Sequence, residues 1–94
     1  MAKSIVQEKR ECLICGNTEN LHLHHIFYGT ANRKLSDKYG LTCYLCNWHH
    51  NGSSNSVHFN KSMDDKLKKF AQTKFEEVYG ANTSFVEVFG KNFK

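Results

Sequence analysis

Residues 21–29 read LHLHHIFYG, three histidines in nine positions and two of them adjacent. Leu21 and Leu23 alternate with polar neighbours, and the run ends on apolar Ile26 and Phe27, which predicts a strand over residues 21–27. Histidine titrates near neutrality and is a common metal ligand, so this density of imidazoles points to chemistry more than to packing.

Cysteines flank the stretch. Cys12 and Cys15 precede it and Cys43 and Cys46 follow it, each pair written Cys-x-x-Cys. With no signal-like leader and no apolar run long enough to span a bilayer, the chain reads as cytoplasmic. Thiols stay reduced there, and such pairs indicate metal before disulfide. Neither pair occupies the strand-to-helix step of a βαβ unit, which argues against a thioredoxin-like role.

Zinc takes four soft or borderline ligands in a tetrahedron, often as two pairs with two residues between partners. Cys12 and Cys15, within ECLICGN, supply the first pair, and Gly16 can take the positive φ of a knuckle turn. The second pair is either Cys43 with Cys46 or Cys46 with His49, since both have the spacing. Cys46 with His49 is favoured, because these two fall at a strand-to-helix turn while Cys43 lies inside a strand beside Leu41 and Leu45. Cys43 is then an ordinary buried thiol.

At 94 residues the chain reads as one domain, residues 1–94, small enough that a structural metal suits it. A net charge of +4 is compatible with a nucleic-acid partner without requiring one. The knuckle and hairpin occupy residues 11–60 and a helical part residues 61–94, an α+β arrangement with the C-terminal helices packed on the hairpin. Residues 1–10 are polar and read as a frayed lead-in. GTANRKLSDKYG, residues 29–40, reads as a long loop with at most a helical turn, and LTCYL, residues 41–45, as the second strand. A helical turn near 47–51 and a loop through 52–57 follow.

Ser62 has the signature of a helix N-cap. Met63, Leu67, Phe70, Ala71, Phe75, Val78 and Tyr79 then form one apolar face, closed by Gly80. Lys66, Lys68, Lys69 and Lys74 read as a solvated face balanced by acids. A short helix from Ser84 to Phe89 is expected to be capped by Asn82 or Thr83 and stopped by Gly90.

With His49 assigned to zinc, His24, His25, His50 and His58 remain, clustered around one hairpin and one turn. Adjacent strand residues point to opposite faces, so one of His24 and His25 can hold a cation while the other faces a water. His22 reads as a bystander.

The Cys-x-x-Cys knuckle, the HH dipeptide ending the first strand, the long connection, the second strand and CNWHHN together resemble the HNH endonucleases. The shared unit of that family is the ββα-metal, treble-clef zinc finger. LHLHHIFYGTANRK, LCNWHHN and VHFN are similar to small HNH proteins of phages and prophages, and the resemblance covers roughly Cys12 to Tyr79. It implies a phage-encoded, metal-dependent endonuclease that nicks or cuts DNA phosphodiester bonds in the bacterial cytoplasm, with no membrane partner.

Position by position, the resemblance makes His25 the general base and His24 and His50 ligands of a catalytic Mg²⁺ or Mn²⁺. His58 becomes a third ligand or a phosphate contact, and Cys12, Cys15, Cys46 and His49 hold structural Zn²⁺. Leu41 stands where the family's middle Asn belongs, so Asn32, Asp37 or a main-chain carbonyl is expected to orient the base. Arg33, Lys34 and Lys38 are candidates for gripping DNA phosphates. The competing reading is a non-catalytic zinc-finger module that binds nucleic acid, which leaves His24, His25 and His50 without a task.

Overall fold

The computed structural model describes residues 3–53 and 56–94. In chain order these form β1 (Leu21–His25), α1 (Thr30–Tyr39), β2 (Thr42–Cys46), α2 (Asn47–His50), α3 (Lys61–Tyr79) and α4 (Phe85–Phe89). β1 and β2 make an antiparallel hairpin in which Leu21 faces Cys46 and His25 faces Thr42. The described residues thus make a small mixed α/β fold of one hairpin and four helices.

The connection between the strands is not a loop. It is the ten-residue helix α1, entered from Gly29 at φ 97° with no side-chain cap. Periodicity conceals it, because its deepest contact is polar. Buried Ser36 donates its hydroxyl to the Phe27 carbonyl at 2.7 Å and accepts the Phe27 N–H at 3.2 Å. Gly40 ends the helix in the left-handed region at φ 73°, and a Cβ there would collide with the Lys3 carbonyl.

That near-collision reflects a second departure, since the lead-in is docked rather than frayed. The Ile5 N–H donates to Gly40 at 2.9 Å, Ser4 Oγ donates to the Thr42 carbonyl at 2.5 Å, and Gln7 Oε1 accepts the Tyr44 N–H at 2.7 Å. The Gln7 amide also donates to the Glu11 carbonyl, and Val6 is buried in the core. Polar side chains thus satisfy the outer edge of β2, which would otherwise present unpaired backbone groups.

Two caps also differ from expectation. α3 is capped by Asn60, whose Oδ1 accepts the Met63 N–H at 3.1 Å, and not by Ser62. α4 is capped by Ser84 and not by Asn82 or Thr83. Gly80 and Gly90 close the two helices as expected.

Ile26, Phe27, Leu41, Cys43 and Leu45 from the hairpin region join Leu67, Ala71, Phe75, Phe85 and Phe89 in one core. Phe27 lies 4.9 to 5.1 Å, centroid to centroid, from Phe85, Phe89 and Phe93. Phe75 meets Tyr39 and Phe85 at 5.3 Å. Phe70 and Val78 are 40% and 55% exposed, so the buried stripe of α3 is narrower than the apolar pattern suggests, and it includes Asp64 and Gln72. Gln72 holds the C-terminal segment, accepting the Phe93 N–H at 2.8 Å and donating to Asn92 Oδ1 at 2.9 Å.

Candidate functional site

Two metal-ligating groups emerge from this frame. The first is Cys12, Cys15, Cys46 and His49. The knuckle is shaped by Gly16 at φ 79°, by Cys12 N–H to Asn17 at 2.8 Å and by Gly16 N–H to Cys12 at 2.8 Å. Leu13 N–H donates to Tyr44 at 2.9 Å, which docks the knuckle onto β2. Cys46 ends β2 and caps α2, so His49 comes round within the following turn.

His49 Nδ1 stands 3.5 Å from Cys12 Sγ and 3.4 Å from Cys46 Sγ, and the sulfurs of Cys15 and Cys46 are 3.7 Å apart. With Zn–S near 2.3 Å and Zn–N near 2.0 Å, a tetrahedron has edges of about 3.5 Å between N and S and about 3.8 Å between sulfurs. The four residues fit zinc. Burial pushes the Cys12 thiol up, but backbone hydrogen bonds at Cys46, Cys15 and Ile14, with the His49 side chain, outweigh it and bring the thiol down to about 6. A thiol so placed is a thiolate at neutral pH, the form that ligates metal.

Cys43 is outside this group. It is buried among Leu41 and Leu45, and desolvation pushes its thiol up to about 12. Cys43→Ala is therefore expected to keep its zinc, a result that elemental analysis of the purified variant checks.

The second group is His24, His50 and His58, each offering a nitrogen within 4.8 Å of the others. His24 leaves β1 toward α2. His58 is brought back alongside by two backbone bonds, Val57 N–H to His49 at 2.8 Å and His58 N–H to His50 at 3.4 Å. The Nε2 atoms of His50 and His58 are 3.2 Å apart. His24 is 2% exposed, and its Nε2 is buried without a hydrogen-bond partner among the described residues. An unpartnered buried nitrogen costs about 1–3 kcal/mol, and a cation shared with two facing imidazoles would remove that cost.

Burial, followed by the charges of His50 and His58, holds His24 down at about 3, so its ring is neutral over the physiological range. The native ring thus resists a proton that the unfolded chain accepts below its ordinary value of 6.5. This contribution destabilises the fold as pH falls from about 6.5 toward 3 and vanishes above that window. Melting temperatures of His24→Gln, measured against wild type, are expected to shift in favour of the variant as pH is lowered through it.

His25 departs in the other direction, toward α1, where its Nε2 donates to Asp37 Oδ1 at 2.7 Å. The residue that orients this ring is Asp37 rather than Asn32, and the Leu41 carbonyl is engaged instead by the Ile26 N–H at 3.1 Å. The carboxylate fixes the hydrogen on Nε2 and leaves Nδ1 as an acceptor. Both histidines nonetheless border one cleft of about 230 Å³, together with Leu23, Tyr28, Arg33, His50 and His58.

Of the three basic candidates on α1, only Arg33 lines the cleft; Lys38 sits over the Tyr39 ring at 5.4 Å. Lys68, expected on a solvated face, is instead drawn in beside the site. It pairs with buried Asp64 at 3.0 Å and lies 4.3 Å above the Tyr28 ring, whose hydroxyl donates to the same carboxylate at 2.9 Å.

Sequence reasoning also passed over His22. Its Nδ1 is 2.9 Å from His50 Nδ1, and the signal that finds it is the strand period of two, which places it on the same face as His24.

No family model, curated protein or solved structure matches this chain. Among the described residues, no helix is long and apolar enough to cross a membrane.

Proposed function

We propose that the chain is a small, phage-type HNH endonuclease, a treble-clef zinc finger that hydrolyses DNA phosphodiester bonds in the bacterial cytoplasm with a divalent cation. The observation that carries this reading is the unpartnered Nε2 of buried His24, which faces His50 and His58 in the same cleft as a histidine locked to a carboxylate. The HH…LC-x-x-HH resemblance points the same way.

The zinc set holds the knuckle to the β2–α2 turn and so positions His50. The cleft then divides its work. His24, His50 and His58 would hold the cation, which would supply stabilisation of negative charge on phosphate oxygens. Three imidazoles suit Mn²⁺ better than Mg²⁺.

His25 Nδ1 takes a proton from the attacking water while Asp37 steadies the ring and the imidazolium that forms. The water oxygen bonds to phosphorus, the P–O ester bond breaks, and the departing oxygen takes a proton from solvent. Arg33, at the cleft wall, is placed to grip a phosphate.

Zinc-loaded protein is expected to convert supercoiled plasmid to nicked circles only when Mn²⁺ or Mg²⁺ is added. A plasmid that is bound yet stays supercoiled at every cation concentration would favour the non-catalytic nucleic-acid-binding module.

A further inference from the structure

We propose that His22 is a positioning residue for the cation site. It accepts the Nδ1 hydrogen of His50, so that the Nε2 lone pair of His50 is presented to the metal. The inference rests on the cation-site reading above and assigns a task to a ring which that reading does not use.

The geometry is specific. His22 and His24 lie two residues apart on β1 and so share a face, and both face His50 of α2. The rings of His22 and His50 meet edge-on, with centroids 5.0 Å apart and planes at 82°. Their Nδ1 atoms, 2.9 Å apart, are at hydrogen-bond distance, so one carries a hydrogen and the other accepts it.

The far side of His50 decides which. Its Nε2 stands 3.2 Å from His58 Nε2, within the three-imidazole group. A ligating nitrogen carries no hydrogen, so a neutral His50 bears its hydrogen on Nδ1. The acceptor is then His22 Nδ1, and the hydrogen of His22 sits on Nε2.

Metal-binding histidines generally give their second N–H to a carboxylate, carbonyl or water, which fixes tautomer and ring orientation. In this chain an imidazole takes that place. The need is local, since α2 is only four residues long and must aim His49 at one metal and His50 at another. His22 itself is not a member of the cation group.

Two measurements test this in the intact, zinc-loaded chain. Long-range ¹H–¹⁵N spectra, recorded with a saturating diamagnetic cation such as Mg²⁺ at a pH where both rings are neutral, are expected to show His50 protonated on Nδ1 and His22 on Nε2. Calorimetric titration with Mn²⁺ is expected to show binding about 10- to 100-fold weaker for His22→Ala. His22→Gln, whose amide oxygen can accept the same hydrogen, should recover most of that loss, with zinc content unchanged in both variants.

His50 protonated on Nε2, or wild-type Mn²⁺ affinity in His22→Ala, would overturn the proposal. So would an equal loss in His22→Gln and His22→Ala, which would make His22 a ligand. If wild type takes up no second cation the nuclease reading falls and this proposal with it, whereas cation uptake with the other His50 tautomer overturns this proposal alone.

Discussion

Cys46→Ala is expected to leave the chain without bound zinc and without a cooperative melting transition. Cys46 ends β2 opposite Leu21 and precedes α2 without a side-chain cap bond, so what its sulfur contributes is its place between Cys15 and His49, at 3.7 and 3.4 Å. Removing its sulfur leaves Cys12, Cys15 and His49, one ligand short of the tetrahedron that zinc takes. Structural zinc supplies roughly 10–16 kcal/mol of apparent binding free energy, as much as the whole stability of a small domain. The loss cannot be absorbed by a core this small.

The same outcome is expected when wild type is treated with a strong chelator, because a zinc ion held by Cys12, Cys15, Cys46 and His49 would tie residues 12–15 to residues 46–49. Elemental analysis and a thermal melt followed by circular dichroism check both results. A Cys46→Ala protein that kept its zinc and melted cooperatively would show that the ligand set had been misassigned.

His50→Ala is expected to separate the two proposed metal sites. The ring of His50 is the hub of the imidazole cluster, with centroids 5.0, 5.3 and 4.8 Å from those of His22, His24 and His58. Without it His24 and His58 have no common third ligand, so uptake of a second cation is expected to vanish and cleavage to fall by at least about 10³-fold. The fold and the zinc should survive, since His50 is only half-buried and lies outside the Cys12, Cys15, Cys46 and His49 set. Zinc content, Mn²⁺ titration and plasmid nicking on one preparation report the three effects together.

What the sequence discloses depends on how local the governing interaction is. The grouping of Cys12, Cys15, Cys46 and His49 was legible because tetrahedral coordination by paired residues imposes spacing, and because Cys43, in the middle of a strand, shares its face with core residues. His24, His50 and His58 were legible as a cluster through strand and turn placement. α1 was not, because its anchor is Ser36 hydrogen-bonded to the Phe27 backbone, a contact that leaves no apolar period to read.

Asp37 stood level with Asn32 among candidates to orient His25, since only the helical turn of α1 decides which of them reaches the ring. The docking of the lead-in by Ser4 and Gln7, and of the C-terminus by Gln72, was hidden for a related reason. Polar residues that satisfy distant backbone groups look the same in sequence as polar residues facing water.

Nicking of supercoiled plasmid by wild type and His25→Ala side by side, both zinc-loaded and supplied with Mn²⁺, tests most directly whether the cleft uses His25 as a base to cut DNA. Nicking by wild type with a rate about 10²- to 10⁴-fold lower in the variant, at equal zinc content and melting temperature, is the expected result. Equal rates in the two proteins, or no nicking by wild type, would contradict it.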